Sequence, residues 1–166
     1  MLIGLCGMPS SGKSEVKRIL VEDFGFEELD TKVILRDMAA RLTGLPASAF
    51  VTQEDKAALY HGVSRRKIMG ELGNSIEAMY GDSFLLDRAI AELDRYNNTH
   101  KKVVVDSLRK DQPVGFPGLV YEVISDKSID TGNDFDLFNK SRTNGIICNF
   151  GGLSELTATV QRVFDL

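Results

Sequence analysis

The sequence predicts an α/β sandwich, with a five-stranded, mostly parallel sheet flanked by helices. Two observations carry this. Five short runs rich in Val, Ile and Leu, namely Leu2–Cys6, Phe26–Leu29, Lys102–Asp106, Leu119–Ile124 and Gly145–Asn149, lack clean alternation, as suits strands covered on both faces. Helical patterns lie between them, and strands alternating with helices imply parallel crossover units.

The first run leads through a glycine-rich stretch into a stripe of Val16, Ile19, Leu20 and Phe24, spaced as one face of a helix. After the second run come the stripes Ile68, Leu72, Ile76, Met79 and then Leu86, Ile90, Leu93. Leu153, Leu156 and Val160 carry the last helix. All four stripes are expected to pack in a core. Leu45–Gln53 and the polar segment Ser125–Asn144 read as less rigid. A loop as long as the second is usually functional or disordered, so residues 125–145 are expected to form a lid-like segment.

A chain of 166 residues is read as one domain, 1–166, large enough to bury a core. Its net charge of -4 does not suit a surface built as a whole to coat nucleic acid. Arg65-Arg66-Lys67 and Lys101-Lys102 are the dense basic runs, the second expected to be a solvated surface. Cys6 and Cys148 sit in apolar runs and are expected to be buried, reduced thiols. His61 and His100 have no partner pattern and are assigned to the surface. No apolar run approaches the ~20 residues that span a bilayer, and no signal-peptide pattern opens the chain. The expectation is a cytoplasmic protein that makes no membrane contact.

Residues Gly7 to Ser14 read GMPSSGKS, the spacing G-x-x-x-x-G-K-S, with a strand before and an amphipathic helix after. This is the P-loop pattern. Gly7 and Gly12 allow backbone angles that turn successive N–H groups into a concave nest. The following helix adds its positive end. Lys13 offers a charge for β- and γ-phosphates, and Ser14 a hydroxyl for Mg²⁺. The stretch therefore predicts a nucleoside triphosphate, ATP, with Mg²⁺.

A GTPase switch would need N-K-x-D and D-x-x-G. Here Asn139-Lys140-Ser141-Arg142 has Arg where the Asp should be, and no Asp is followed by Gly three residues later. An AAA-type motor needs a longer chain.

The remaining pattern resembles the P-loop nucleotide kinases over most of its length, and implies an adenylate-kinase-like three-layer sandwich. Asp30-Thr31-Lys32-Val33-Ile34-Leu35-Arg36 resembles the Ser-Thr-Gly-Asp-Met-Leu-Arg of adenylate-kinase-like enzymes, with Thr31 and Arg36 matching. VVVDSLR resembles their Asp-Gly-Phe-Pro-Arg, one residue shorter. SRRKIMGELGN (Ser64–Asn74) resembles the Arg-Arg-x-x-x-x-x-Leu-Gly-Thr helix of phage-type deoxynucleoside monophosphate kinases, with Arg66 and Lys67 on the basic pair and Gly73 on the glycine. LRKDQ (Leu108–Gln112) resembles their Thr-Arg-Gln-Asp stretch. NFGGLSEL (Asn149–Leu156) resembles a loop, shared with dephospho-coenzyme A kinases, that contacts the adenine of ATP. Two departures bear on the acceptor: the family's Asp-x-Arg is Asp106-x-x-Arg109, and Pro113 replaces a Glu.

The resemblance implies an ATP- and Mg²⁺-dependent kinase acting on a small-molecule nucleotide acceptor, first a deoxynucleoside monophosphate. Residues 31–80 would form the acceptor-binding helical region. Lys13, Asp30, Arg36, Arg109 and Arg142 are expected to be catalytic. Gly7, Met8, Pro9, Ser10, Ser11, Gly12, Lys13, Ser14, Asn149 and Gly151 would bind ATP. Thr31, Arg36, Arg66, Lys67 and Arg109 would bind the acceptor, and Ser14 and Asp106 the metal. Asp106 would act through water as a Walker-B-like acid, or cap a helix. Lys140 and Arg142 would be lid cations, or solvated. Asp30 is either a general base or a helix cap. A base suits a hydroxyl acceptor, and dephospho-coenzyme A kinases and polynucleotide kinases resemble this chain in having an Asp there. The second expectation is thus a hydroxyl acceptor: dephospho-coenzyme A, or 5-hydroxymethyluracil in DNA as phosphorylated by related bacteriophage kinases. A nucleotide sensor without transfer is the third.

Overall fold

The computed structural model describes residues 1–95, 101–130 and 138–165. In chain order its elements begin with β1 (Leu2–Cys6), α1 (Lys13–Phe24), β2 (Glu27–Glu28) and α2 (Val33–Thr43). Next come α3 (Gln53–Ala57), β3 (Leu59–Tyr60), β4 (Val63–Ser64), α4 (Arg65–Tyr80) and α5 (Phe84–Arg95). The chain continues with β5 (Val103–Val105), α6 (Gln112–Gly115), β6 (Leu119–Ile124), β7 (Gly145–Cys148) and α7 (Leu153–Phe164). Two compact units result, one of residues 1–29 with 90–166, the other of residues 30–89.

The first unit holds a five-stranded sheet in the order β2-β5-β1-β6-β7, with every pair parallel. β1 lies at its centre because its residues Ile3, Leu5 and Cys6 can be fully buried. Val16, Ile19 and Leu20 of α1 and Leu156 and Val160 of α7 close the core with Val104, Val123 and Ile147 of the sheet. In such sheets ligands collect beyond the carboxyl ends of the strands, where β1 runs into the glycine loop. The second unit has its own core of Leu35, Ala39, Phe50, Met69, Ile76 and Leu85, with a small antiparallel pair of β3 and β4.

The α/β class, the five strands and their parallel pairing are as the sequence predicts. Leu2–Cys6 and Leu119–Ile124 match to the residue, whereas the second strand shrinks to Glu27–Glu28, an exposed, charged edge. Three packing expectations are corrected. Cys148 is exposed, because β7 is the other edge strand and presents alternate residues outward. Met79 and Leu153 are 67% and 52% exposed, since each lies at the end of its helix, beyond the stripe that is covered. Leu45–Gln53 contains a 3-10 turn (Ala47–Phe50) whose Phe50 is fully buried and anchors it. His61 is exposed as expected; His100 and residues 131–137 of the lid-like segment lie outside the described residues. No helix among the described residues is long and apolar enough to cross a membrane.

Candidate active site

The glycine loop joins β1 to α1 through three residues with positive φ, Gly7 (146°), Ser10 (61°) and Gly12 (96°). A Cβ on Gly7 would collide with the Val123 carbonyl, and one on Gly12 with Asn149 Nδ2. Gly7 is thus required by angle and by space, whereas at Gly12 the angle is the stricter demand, because Asn149 Nδ2 ends a flexible side chain. No side chain caps α1; the Glu15 and Val16 N–H groups donate to the Gly12 carbonyl at 3.0 Å each, and an uncapped helix start of this kind can receive an anion. Lys13 Nζ folds back to donate to the carbonyls of Gly7 (2.8 Å) and Met8 (2.9 Å), which places its charge over the nest. Ser11 is fully buried, and its Oγ has no partner among the described residues. Ser14 is exposed on the first turn.

Asp106 follows β5, at the carboxyl end of the strand beside β1. Its Oδ2 lies 3.2 Å from Lys17 Nζ, which also donates to Glu28 Oε1 at 2.7 Å. Burial pulls the Lys17 ammonium down, but the hydrogen bonds to Glu28 and Asp106 outweigh it and hold it above its ordinary range. An exposed hydroxyl and a carboxylate are hard oxygen donors of the kind Mg²⁺ takes. Among the described residues no three His, Cys, Asp or Glu gather as a metal cage. Ser14 and Asp106 fit a cation that brings phosphate oxygens with it.

Asn149 Nδ2 donates to the Ser11 carbonyl at 3.1 Å, tying the loop before α7 to the glycine loop. Gly151 follows in that loop, and the Gly152 N–H donates to Glu155 Oε2, which fixes the start of α7. Pro9 is also tied, its carbonyl accepting from the Ile129 N–H at 3.0 Å. In the lid-like segment, Lys140 Nζ pairs with the buried Glu122 at 2.6 Å and Arg142 Nη1 donates to the Val114 carbonyl at 2.9 Å. Both cations expected to reach over phosphates therefore hold protein groups in this conformation. Burial first, and then the Glu122 charge, push the Cys6 thiol up to about 12.

The second unit gathers the acceptor-side residues. The Asp30 carboxylate accepts from the Arg36 guanidinium through Oδ2 and from the Lys32 N–H (2.9 Å) through Oδ1. Burial pushes this carboxyl up, yet these two donors outweigh it and hold it below the usual Asp range. Thr31 sits half-buried in the same turn. Arg65 Nη1 donates to the carbonyls of Ala49 (3.2 Å) and Asp55 (3.5 Å), pinning the start of α4 against α3. Lys56 of α3 thereby joins Arg66, Lys32 and Arg36. Burial lowers its ammonium, those three cations lower it further, and only Asp30 opposes them. Lys67 instead lines a groove with Leu42, Val63, Ile68 and Leu72. Arg109 belongs to the first unit, where its N–H donates to Gln112 Oε1.

Four residues escaped the sequence reading. Lys17 stands one helical turn beyond Ser14, so its face was legible in the spacing. Lys32 and Arg65 lie inside quoted motifs but at none of their matching positions, and Lys56 lies in no motif; their neighbours come from tertiary folding.

No family model matches the chain, and no curated protein sequence does. Solved structures do. TT1252 from Thermus thermophilus superposes with a TM-score of 0.56 at 16% identity, covering 99% of this chain and 96% of that one. A dephospho-CoA kinase from Campylobacter jejuni superposes with a TM-score of 0.57 at 14% identity, covering 99% and 95%. With a five-stranded parallel sheet whose central strand runs into the glycine loop, the chain shares its fold with these two structures.

Proposed function

We propose that this chain is an ATP- and Mg²⁺-dependent phosphotransferase that moves a γ-phosphoryl group to a nucleotide-type acceptor, a deoxynucleoside monophosphate in first place. Phosphoryl transfer spreads negative charge over transferring, attacking and leaving oxygens, so cations and positioning do most of the work. Lys13 stabilises the transferring group. Ser14 and Asp106 hold Mg²⁺, which neutralises phosphate charge when bound. The Asn149–Gly151 loop holds the adenine. Arg109 completes the anion contacts, and Arg142 joins it only on leaving the Val114 carbonyl.

The observation that carries the acceptor assignment is the Arg36 guanidinium held by Asp30, with the Lys32 N–H bonded to the same carboxylate. An arginine so oriented suits a phosphate oxygen. A monophosphate presents an ionised oxygen as nucleophile and needs no general base, which agrees with an Asp30 already committed to Arg36. Incubation with labelled ATP and Mg²⁺ against deoxynucleoside monophosphates, dephospho-coenzyme A and hydroxymethyluracil DNA tests this. Label on a monophosphate supports the reading, label on DNA or dephospho-coenzyme A alone replaces it, and label on no acceptor favours a nucleotide sensor.

The second reading is a hydroxyl acceptor, favoured by the place of a carboxylate, Asp30, two residues beyond the end of β2. The dephospho-CoA kinase neighbour keeps that acceptor in the panel.

A further inference from the structure

Glu28 ends β2 and Asp106 follows β5, and these strands pair in parallel with Glu28 opposite Val104. Two carboxylates are thus delivered to the carboxyl ends of neighbouring strands. Lys17 reaches up from α1 between them, 2.7 Å from Glu28 Oε1 and 3.2 Å from Asp106 Oδ2. Lys17 and Asp106 are only 21% and 23% exposed, so water screens their pairing little, while Glu28 is 42% exposed. Lys17 also stands three residues after Ser14, on the same face of α1. One turn of helix therefore carries the hydroxyl expected to bind Mg²⁺ and an ammonium that already holds the other expected metal group.

We propose that Lys17 acts on the metal site through Asp106: its charge, paired with that carboxylate, sets how tightly a divalent cation is drawn there, with Glu28 as its counterweight. This rests on the assignment of Ser14 and Asp106 to Mg²⁺. Glu28, Lys17 and Asp106 together carry one net negative charge. Removing the ammonium leaves two, and neutralising Glu28 leaves none. A cation held near Asp106 would feel this difference directly. The two substitutions must therefore shift metal affinity in opposite directions, which loss of packing does not do.

The test uses Mn²⁺ as the probe, titrated into the full chain with a non-hydrolysable ATP analogue and followed by electron paramagnetic resonance. Lys17→Met is expected to tighten Mn²⁺ uptake about tenfold and Glu28→Gln to loosen it, with Lys17→Arg close to the parent. Far-UV circular dichroism and the thermal midpoint identify any variant that has not folded, and Glu28→Gln, at an exposed edge, retains the test if Lys17→Met is lost. Unchanged or weaker Mn²⁺ uptake in folded Lys17→Met, or tighter uptake in Glu28→Gln, overturns the inference. If the parent chain takes up no Mn²⁺ with nucleotide, the metal assignment beneath it falls too.

Discussion

The Asp30 carboxylate is hydrogen-bonded by the Arg36 guanidinium, so the expected general base and the expected phosphate grip are one unit. A carboxylate held ionised by Arg is a weak base and a good orienter. With a monophosphate acceptor, Asp30→Asn should cost less than about tenfold in kcat. With a hydroxyl acceptor it should cost on the order of 10² or more. Arg36→Ala should raise the acceptor KM about tenfold or more, the worth of a charge-assisted hydrogen bond. Steady-state kinetics on both acceptor classes check this; an unchanged KM would remove Arg36 from the acceptor site.

The same pair has a pH signature. The folded pKa of Asp30 lies below its unfolded value, so the contribution to stability is present above the ordinary Asp range and is lost as pH falls through the folded pKa. Arg36→Met should flatten the acid limb of the stability curve. Urea unfolding between about pH 5 and pH 2 would show it.

Lys56 offers a trade. Its ammonium is depressed by burial and by Lys32, Arg36 and Arg66, so the folded chain carries an electrostatic cost that persists below the folded pKa and is relieved as pH rises through it. Lys56→Met should raise the thermal midpoint of the unliganded protein while weakening the acceptor several-fold. Calorimetry with and without acceptor measures both, and a lower midpoint would contradict the crowding of cations.

Lys13→Ala should abolish transfer to every acceptor, because the ammonium that donates to the Gly7 and Met8 carbonyls is the charge assigned to the transferring group. Gly12→Ala combines a left-handed φ with a collision against Asn149, and should destabilise by about 1–3 kcal/mol. Thermal melts of Gly12→Ala alone and with Asn149→Ala separate the two causes. The double variant should recover only the steric part.

The two thiols should differ sharply. Cys148 is exposed and Cys6 is buried with its pKa near 12, so a thiol reagent at pH 8 should modify one cysteine quickly. The second should react only on unfolding. Two fast thiols would mean that β1 opens.

The sheet was legible because strands covered on both faces must be apolar throughout, and Leu2–Cys6 and Leu119–Ile124 are. The donor loop was legible because Gly7 and Gly12 answer to local backbone geometry. Cys148 was misread because its apolar neighbours do not say which strand lies at an edge; that depends on sheet order. Lys56 was invisible because its neighbours Lys32 and Arg66 come from other helices, and a lone Lys in QEDKA looks like any solvated residue. Lys17 lay between: its helical phase could be read, but its carboxylate partners arrive on two separate strands.

The placement of β1 has a consequence for biosynthesis. Its partners in the sheet, Val103 for Leu2 and Leu119 for Ile3, are encoded about a hundred residues later. The residues of the second unit can bury Phe50 and Met69 with one another before either partner leaves the ribosome. Until then LIGLC is an unpaired apolar strand of a nascent chain, an open invitation to a chaperone.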